Sequence, residues 1–266
     1  LSSAPLAALS SAPLAALSSA PLAALSSAPL AALAPAPLLA TLSVVIPALD
    51  AAASLPATLA ALGTAPGELV LADGGSADAT RAIASAAGAR VIAAPRGRGV
   101  QLAAGIAAAR GPWLLLLHAD TRLAPGWAEA VAAVLAAPGG AARAHHFRFA
   151  LDDAAPAARR LEGAVAWRCR VLRLPYGDQG LLIHRDLLAA VGGLRPLPLM
   201  EDVDLVRRLG RARIAALPVA ALTSAARWQR DGYLRRSARN LVCLALWLLG
   251  VPPARIARFY AGGGRR

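Results

Sequence analysis

His118, Asp120, Glu201 and Asp202 are the residues of this 266-residue sequence whose types and surroundings point most directly to chemistry. His118 and Asp120 close the run LLLLHAD (114–120). A leucine strand buried on both faces has no use for a carboxylate, so the run delivers polar groups to an edge of a sheet. A hard divalent cation takes oxygen from one or two carboxylates and fills its shell from substrate phosphates. A histidine beside it tilts the choice toward Mn2+ or another transition metal. Asp120 is the first candidate ligand for Mg2+ or Mn2+. His118 is the second, since a lone histidine at a strand end is as often structural.

Glu201 and Asp202 open the helix-like stretch LMEDVDLVRRL (199–209). Acids in a first turn are also favoured by the helix dipole alone. Ahead of them lie PYGDQGLLIHRDLL (175–188) and VGGLRPLP (191–198), irregular and rich in Gly and Pro. Such loops carry substrate contacts on a rigid scaffold, and an acid beneath one suits a general base.

A third constellation is DGGSADAT (73–80). Gly74 and Gly75 let a ligand approach the backbone, and Asp73 can accept hydrogen bonds from a base or ribose hydroxyls. Ser76 and Asp78 read more simply as caps of the following helix. A dinucleotide site would need GxGxxG after the first strand. PALDAAASL stands there instead, and GRGVQL (97–102) lacks the third glycine. NAD binding and a Walker A loop are both rejected.

The elements that must position these groups follow from apolar runs. LSVVIP (42–47), ELVLAD (68–73), ARVIAAP (89–95) and WLLLLHAD (113–120) read as buried strands. Between them Ala52–Leu62, residues 77–87 and Val100–Arg110 read as helices. Short continuous apolar strands alternating with helices mean βαβ units and a mostly parallel sheet covered on both faces. Right-handed crossovers put the strand ends, with Asp73 and Asp120, along one edge.

Composition adds little about function. The net charge of +13 is carried wholly by arginine, spread over many segments without interleaved aromatics. That matches the codon bias of a GC-rich genome better than a nucleic-acid footprint. The two cysteines, Cys169 and Cys243, are far apart and read as incidental thiols of a reduced, cytoplasmic chain.

Taken in order, IPALD, VLADGGSADAT, GRGVQLAAG, LLLLHADTRLAPG, YGDQG, MEDVDL and ARWQRDG resemble the GT-A glycosyltransferases of family 2. Within them the sequence is most similar to the bacterial subgroup described as selenodomain- or arsenosugar-associated transferase 2. The resemblance runs from about Leu42 to Tyr260. It implies a GT-A, Rossmann-like single domain, a nucleoside diphosphate sugar as donor, a hydroxyl acceptor and inversion at the anomeric carbon. By that likeness Pro47, Asp50, Asp73, Gly74, Arg98 and Gln101 would contact the donor nucleotide, and Asp120 with His118 the metal. Asp202, paired with Glu201, would be the catalytic base. Asp178 and Gln179 would line the acceptor side, and Arg227 and Trp228 would close over donor or acceptor. Asp50-Ala51 replaces the family's usual Asn-Glu, and Ala103 an expected asparagine. A sugar-nucleotide-binding protein with impaired turnover is therefore the alternative. A nucleotidyltransferase ranks lower, because the glycine-rich loop it needs after the first strand is missing.

Three segments are expected. Residues 1–40 hold four tandem LSSAPLAA copies, whose recurring prolines suit neither a helix nor a membrane span, and are read as disordered. Residues 41–230 form the GT-A domain. Residues 231–266 form a helical extension packed on it, because LVCLALWLLG (241–250) is too short to cross a bilayer. Flanking arginines leave peripheral contact with the inner membrane as the alternative for that helix.

Overall fold

The computed structural model describes residues 35–262, so the LSSAPLAA copies and the disorder expected of them lie outside the described residues. Among the described residues, eight strands form one sheet: β1 (Leu42–Ala48), β2 (Glu68–Asp73), β3 (Arg90–Ala93), β4 (Trp113–Leu116), β5 (Thr121–Leu123), β6 (Ala144–Leu151), β7 (Leu181–His184) and β8 (Ile214–Thr223). Their order is β3-β2-β1-β4-β7-β6-β8-β5. β3, β2, β1 and β4 run parallel, and β6 pairs parallel with β8. β7 is antiparallel to both its neighbours, and β5 to β8. The result is an α/β domain with a mostly parallel central sheet and C-terminal helices.

Why the strands lack polar alternation is clear from what covers them. Every residue of β1 and of β4 is buried. Leu42, Val44 and Ile46 face Leu55, Leu59 and Leu62 of the helix Leu55–Leu62 and Trp127 of the helix Trp127–Ala136. On the other face Val45, Val70, Leu114 and Leu116 meet Leu102 of the helix Arg98–Ala108 and Leu205, Val206 and Leu209 of the helix Glu201–Leu209. Each fully buried leucine contributes about 1.5–3 kcal/mol. The helix Arg98–Ala108 lies so close to β1 that only glycine fits at position 105, where a Cβ would collide with Val45.

Among the boundaries that differ from the sequence reading, three bear on the site and on the division of the chain. The fourth strand ends at Leu116, not at residue 120. The chain bends so that Thr121 N–H donates to His118 O at 3.2 Å, which lifts His118 and Asp120 off the sheet. The folded region begins before residue 41, because Pro35–Leu39 is helical, Leu39 is 1% exposed, and its carbonyl accepts from Gly67 N–H at 2.8 Å. The boundary at 230/231 falls inside the helix Ala226–Asp231. The helices Tyr233–Leu248 and Pro253–Gly262 that follow bury Cys243 and Ile256. Among the described residues, no helix is long and apolar enough to cross a membrane.

Candidate active site

The C-terminal ends of β1, β2 and β4 open on one edge, and β2 and β4 lie on opposite sides of β1. Chains leaving neighbouring parallel strands in opposite directions leave a crevice there. Two clefts occupy it. One is bordered by Pro47, Asp50, Gly97 and Gln101, the other by Tyr176, Asp178, Asp202 and Trp228. Arg98, His118, Asp120 and Arg227 border both and form their shared wall.

Arg98 is the hub of that wall. It heads the helix Arg98–Ala108 and its Nε–H donates to Glu201 Oε1, while its Nη2 reaches Asp202 Oδ2 at 3.4 Å. Burial opposes its charge, but the two carboxylates outweigh burial and push its pKa upward. Asp202 is fixed from three directions. Besides Arg98, Gly177 N–H donates to its Oδ2 at 2.8 Å and its own neighbour Val203 N–H to Oδ1 at 2.8 Å. Burial would raise its pKa, yet Arg98 and these N–H groups hold it below the usual carboxylate range. Asp202 is therefore ionised at neutral pH and keeps lone pairs free on Oδ1.

His118 and Asp202 flank Gly177 closely: a Cβ there would lie 3.0 Å from His118 Nε2 and 3.2 Å from Asp202 Oδ2. Burial, then the Arg98 charge, depresses His118 to about 4, so its imidazole is neutral. Asp120 Oδ2 faces the Arg227 guanidinium at 3.7 Å. Asp178 behaves oppositely to Asp202. Burial raises its pKa to about 6, and its Oδ1 is buried without a hydrogen-bond partner.

Residues 43–181 match the sequence profile of glycosyl transferase family 2. The chain belongs to that family. The fold of this glycosyltransferase is shared by glucosyl-3-phosphoglycerate synthase from Mycobacterium tuberculosis. The form of that enzyme with Mn2+ and UDP-glucose aligns with a TM-score of 0.50 and 22% identity, over 72% of this chain and 74% of that one. Its complex with Mn2+, UDP and glucosyl-3-phosphoglycerate aligns with a TM-score of 0.48 and 23% identity, over 72% and 75%. A further mycobacterial protein aligns at 0.48 and 24%, over 72% and 69%. No curated protein sequence matches the chain. The family match and the shared fold identify the sheet and its crevice as the GT-A, Rossmann-like fold.

Within this family 2 domain, ten of the residues singled out from sequence border the two clefts: Pro47, Asp50, Arg98, Gln101, His118, Asp120, Asp178, Asp202, Arg227 and Trp228. Four do not. Asp73 is turned into its own loop, where its carboxylate accepts from Gly75 N–H and Ser76 N–H at 3.2 Å. Gly74 sits over the Gln101 side chain, 2.9 Å from where a Cβ would be. Glu201 is 1% exposed behind Arg98. Gln179, also 1% exposed, braces the 177–179 turn from behind: its Nε2 donates to Phe147 O at 3.0 Å and its Oε1 accepts from Tyr176 N–H at 3.2 Å. Gln101, though it borders a cleft, spends its amide on Ala48 O at 2.6 Å and Ala72 O at 2.9 Å. Asp50, at φ 48°, ties its loop to the next through Ala77 N–H at 2.8 Å.

Sequence reasoning missed a whole wall. Tyr176, under the Arg168 guanidinium at 3.5 Å, and Arg236, Asn240 and Tyr260 from the C-terminal helices all border the second cleft. Arg236, Asn240, Cys243 and Leu244 follow helical spacing, so they share one face. That periodicity was the available signal.

Proposed function

We propose that this chain is an inverting glycosyltransferase that moves a sugar from a nucleoside diphosphate sugar to a hydroxyl acceptor. The observation that carries the proposal is the shared wall, where Arg98, Arg227 and the Asp120 carboxylate stand between two clefts and Arg98 holds the ionised Asp202 on the side of the second. The cleft beside Pro47, Asp50 and Gly97 takes the nucleotide, and the cleft beside Tyr176 and Asp178 takes the acceptor. Asp202 accepts the proton of the attacking hydroxyl. The acceptor oxygen bonds to the anomeric carbon as the bond to the diphosphate oxygen breaks. Arg98 and Arg227 balance the negative charge that gathers on the leaving diphosphate. A single displacement of this kind inverts the anomeric configuration.

Asp120 and His118 are the residues that would hold a divalent cation. Among the described residues, no three His, Cys, Asp or Glu side chains converge on one point. That donor set fits a Mg2+ or Mn2+ ion that completes its shell from diphosphate oxygens and water, and the neutral imidazole of His118 suits a ligand. When bound, the ion supplies electrostatic stabilisation of the departing diphosphate. A solved form of a protein with this fold contains Mn2+ together with UDP-glucose, which supports the assignment. The likeness to the arsenosugar-associated subgroup belongs to the same proposal.

The test is a thermal-shift screen with UDP-, GDP-, ADP- and dTDP-sugars, each with and without Mn2+. Stabilisation by one donor, increased by Mn2+, is the expected result. No stabilisation by any donor would overturn the proposal.

A further inference from the structure

The helix Pro156–Leu172 and the helix Tyr233–Leu248 border a groove of about 970 Å3, counting its open mouth. Its apolar lining is Phe149, Leu161, Val165, Trp167, Leu241 and Leu244, and Arg168 and Ser237 border it as well. Trp167 is 59% exposed and Leu241 64% exposed at its mouth. Contiguous apolar surface left open to water marks a binding site more often than a resting surface. The inner end of the groove is not closed. Tyr176, Asp178, Trp228 and Asn240 border both the groove and the acceptor cleft. The groove is therefore continuous with the place where a nucleophile must lie.

Asp178 stands at that junction with its Oδ1 buried and unpartnered. Buried polar oxygens are almost always hydrogen-bonded, so a donor is expected to arrive with a ligand. The groove also carries the donors of Arg168, Ser237 and Asn240, but none of them bonds to Asp178 Oδ1, and the rest of the wall is mostly hydrocarbon. A hydroxyl-bearing head at Asp178 and an apolar portion beyond it satisfy both features together.

We infer that the acceptor is an amphipathic alcohol, its hydroxyl-bearing head held between Asp178 and Asp202 and its apolar portion lying in the groove between the two helices. The inference rests on the glycosyltransferase reading and names the substrate class of that site. The acceptor oxygen forms the new bond to the anomeric carbon, and its proton passes to Asp202. The diphosphate leaves with the electron pair of the broken bond. No oxidant or further reactant is needed.

The experiment compares octyl β-D-glucoside, below its micelle concentration, with methyl β-D-glucoside by calorimetry on the full chain. UDP, GDP, ADP and dTDP with Mn2+ are titrated separately. Each buried methylene gives about a fourfold gain in affinity, so three seated methylenes give about 60-fold in favour of the octyl compound. Trp167→Ser and Leu241→Gln should each remove most of that preference while nucleoside diphosphate affinity and melting temperature stay at wild-type values. Both side chains are exposed, so neither substitution opens a core cavity. Leu249→Gln, 80% exposed and outside the groove, should keep the preference. Equal binding of the two glucosides would overturn the inference. So would loss of the preference in Leu249→Gln, which would mean adsorption to apolar surface at large. A dimer in light scattering that Leu241→Gln dissolves would assign the groove to a second copy instead. Failure of every nucleoside diphosphate to bind would overturn the glycosyltransferase reading, and the acceptor with it, in a titration that does not involve the groove.

Discussion

Arg98 and Asp202 sit 104 residues apart in sequence and 3.4 Å apart in space. The contact joins the helix after β3 to the helix that follows the 191–198 loop, and it holds the candidate base and the candidate diphosphate contact in one rigid unit. Positioning of this kind lowers the reorganisation needed when charge moves in the reaction.

Asp202→Asn should therefore abolish transfer while leaving nucleoside diphosphate binding within a few-fold of wild type. The amide keeps the shape but cannot take a proton, and removing a general base costs about 10²–10⁴-fold in rate. Steady-state release of nucleoside diphosphate, set beside calorimetric affinity, makes the comparison. Near-normal turnover would remove Asp202 from the role.

Asp120→Ala should weaken Mn2+-dependent binding of a nucleoside diphosphate more than binding without metal. The variant leaves the Arg227 guanidinium, now 3.7 Å from its partner, free to contact phosphate. Metal-free affinity should thus persist. Calorimetry with and without Mn2+ reads the difference, and an unchanged metal increment would refute the assignment.

Arg98 and Glu201 separate stability from chemistry. Glu201 is 1% exposed and its Oε2 already lacks a partner. Removing Arg98 alone, as in Arg98→Met, strands a buried carboxylate and should cost about 3 kcal/mol. At about 2–4 °C per kcal/mol, the melting temperature should fall by about 6–12 °C. Adding Glu201→Leu should restore part of the loss, because it removes the stranded Glu201 carboxylate while Asp202 still lacks its Arg98 partner. Donor turnover should stay absent in both. Recovery of activity in the double variant would remove Arg98 from the site.

How much of this was readable in the residues depends on what each residue answers to. β1, β2 and β4 were legible because strands covered on both faces must be continuously apolar, and Leu42–Ile46 and Trp113–Leu116 are. His118, Asp120 and Asp202 were legible as candidates from their places at a strand end and beneath an irregular loop, and Arg98 only through the family resemblance. Asp73 and Gln101 were legible as important but not in their placement, since the same residue that could touch a ligand can fasten a loop. Asp73 spends its carboxylate on Gly75 and Ser76, and Gln101 its amide on β1 and β2. For the wall made by Arg236, Asn240 and Tyr260, helical spacing put Arg236 and Asn240 on one face, but which face of a C-terminal helix meets the cleft is set by tertiary packing.

Asp178 gives the pH dependence. Its pKa is about 6 in the folded chain, raised by burial, against 3.8 for an ordinary aspartate. Between those values the folded state binds more protons than the unfolded state, so this group lowers stability as pH rises from about 4 to about 6. Above that window the full penalty of an ionised, unpartnered carboxylate is present; below it the penalty is gone. Asp178→Asn removes the titration. The variant should thus melt higher than wild type at pH 7, by at least about 2–4 °C, the shift that 1 kcal/mol gives a domain of this size. At pH 4 the two should converge. A melting-temperature difference that is constant from pH 4 to pH 7 would show that the Asp178 carboxylate is not the group under strain.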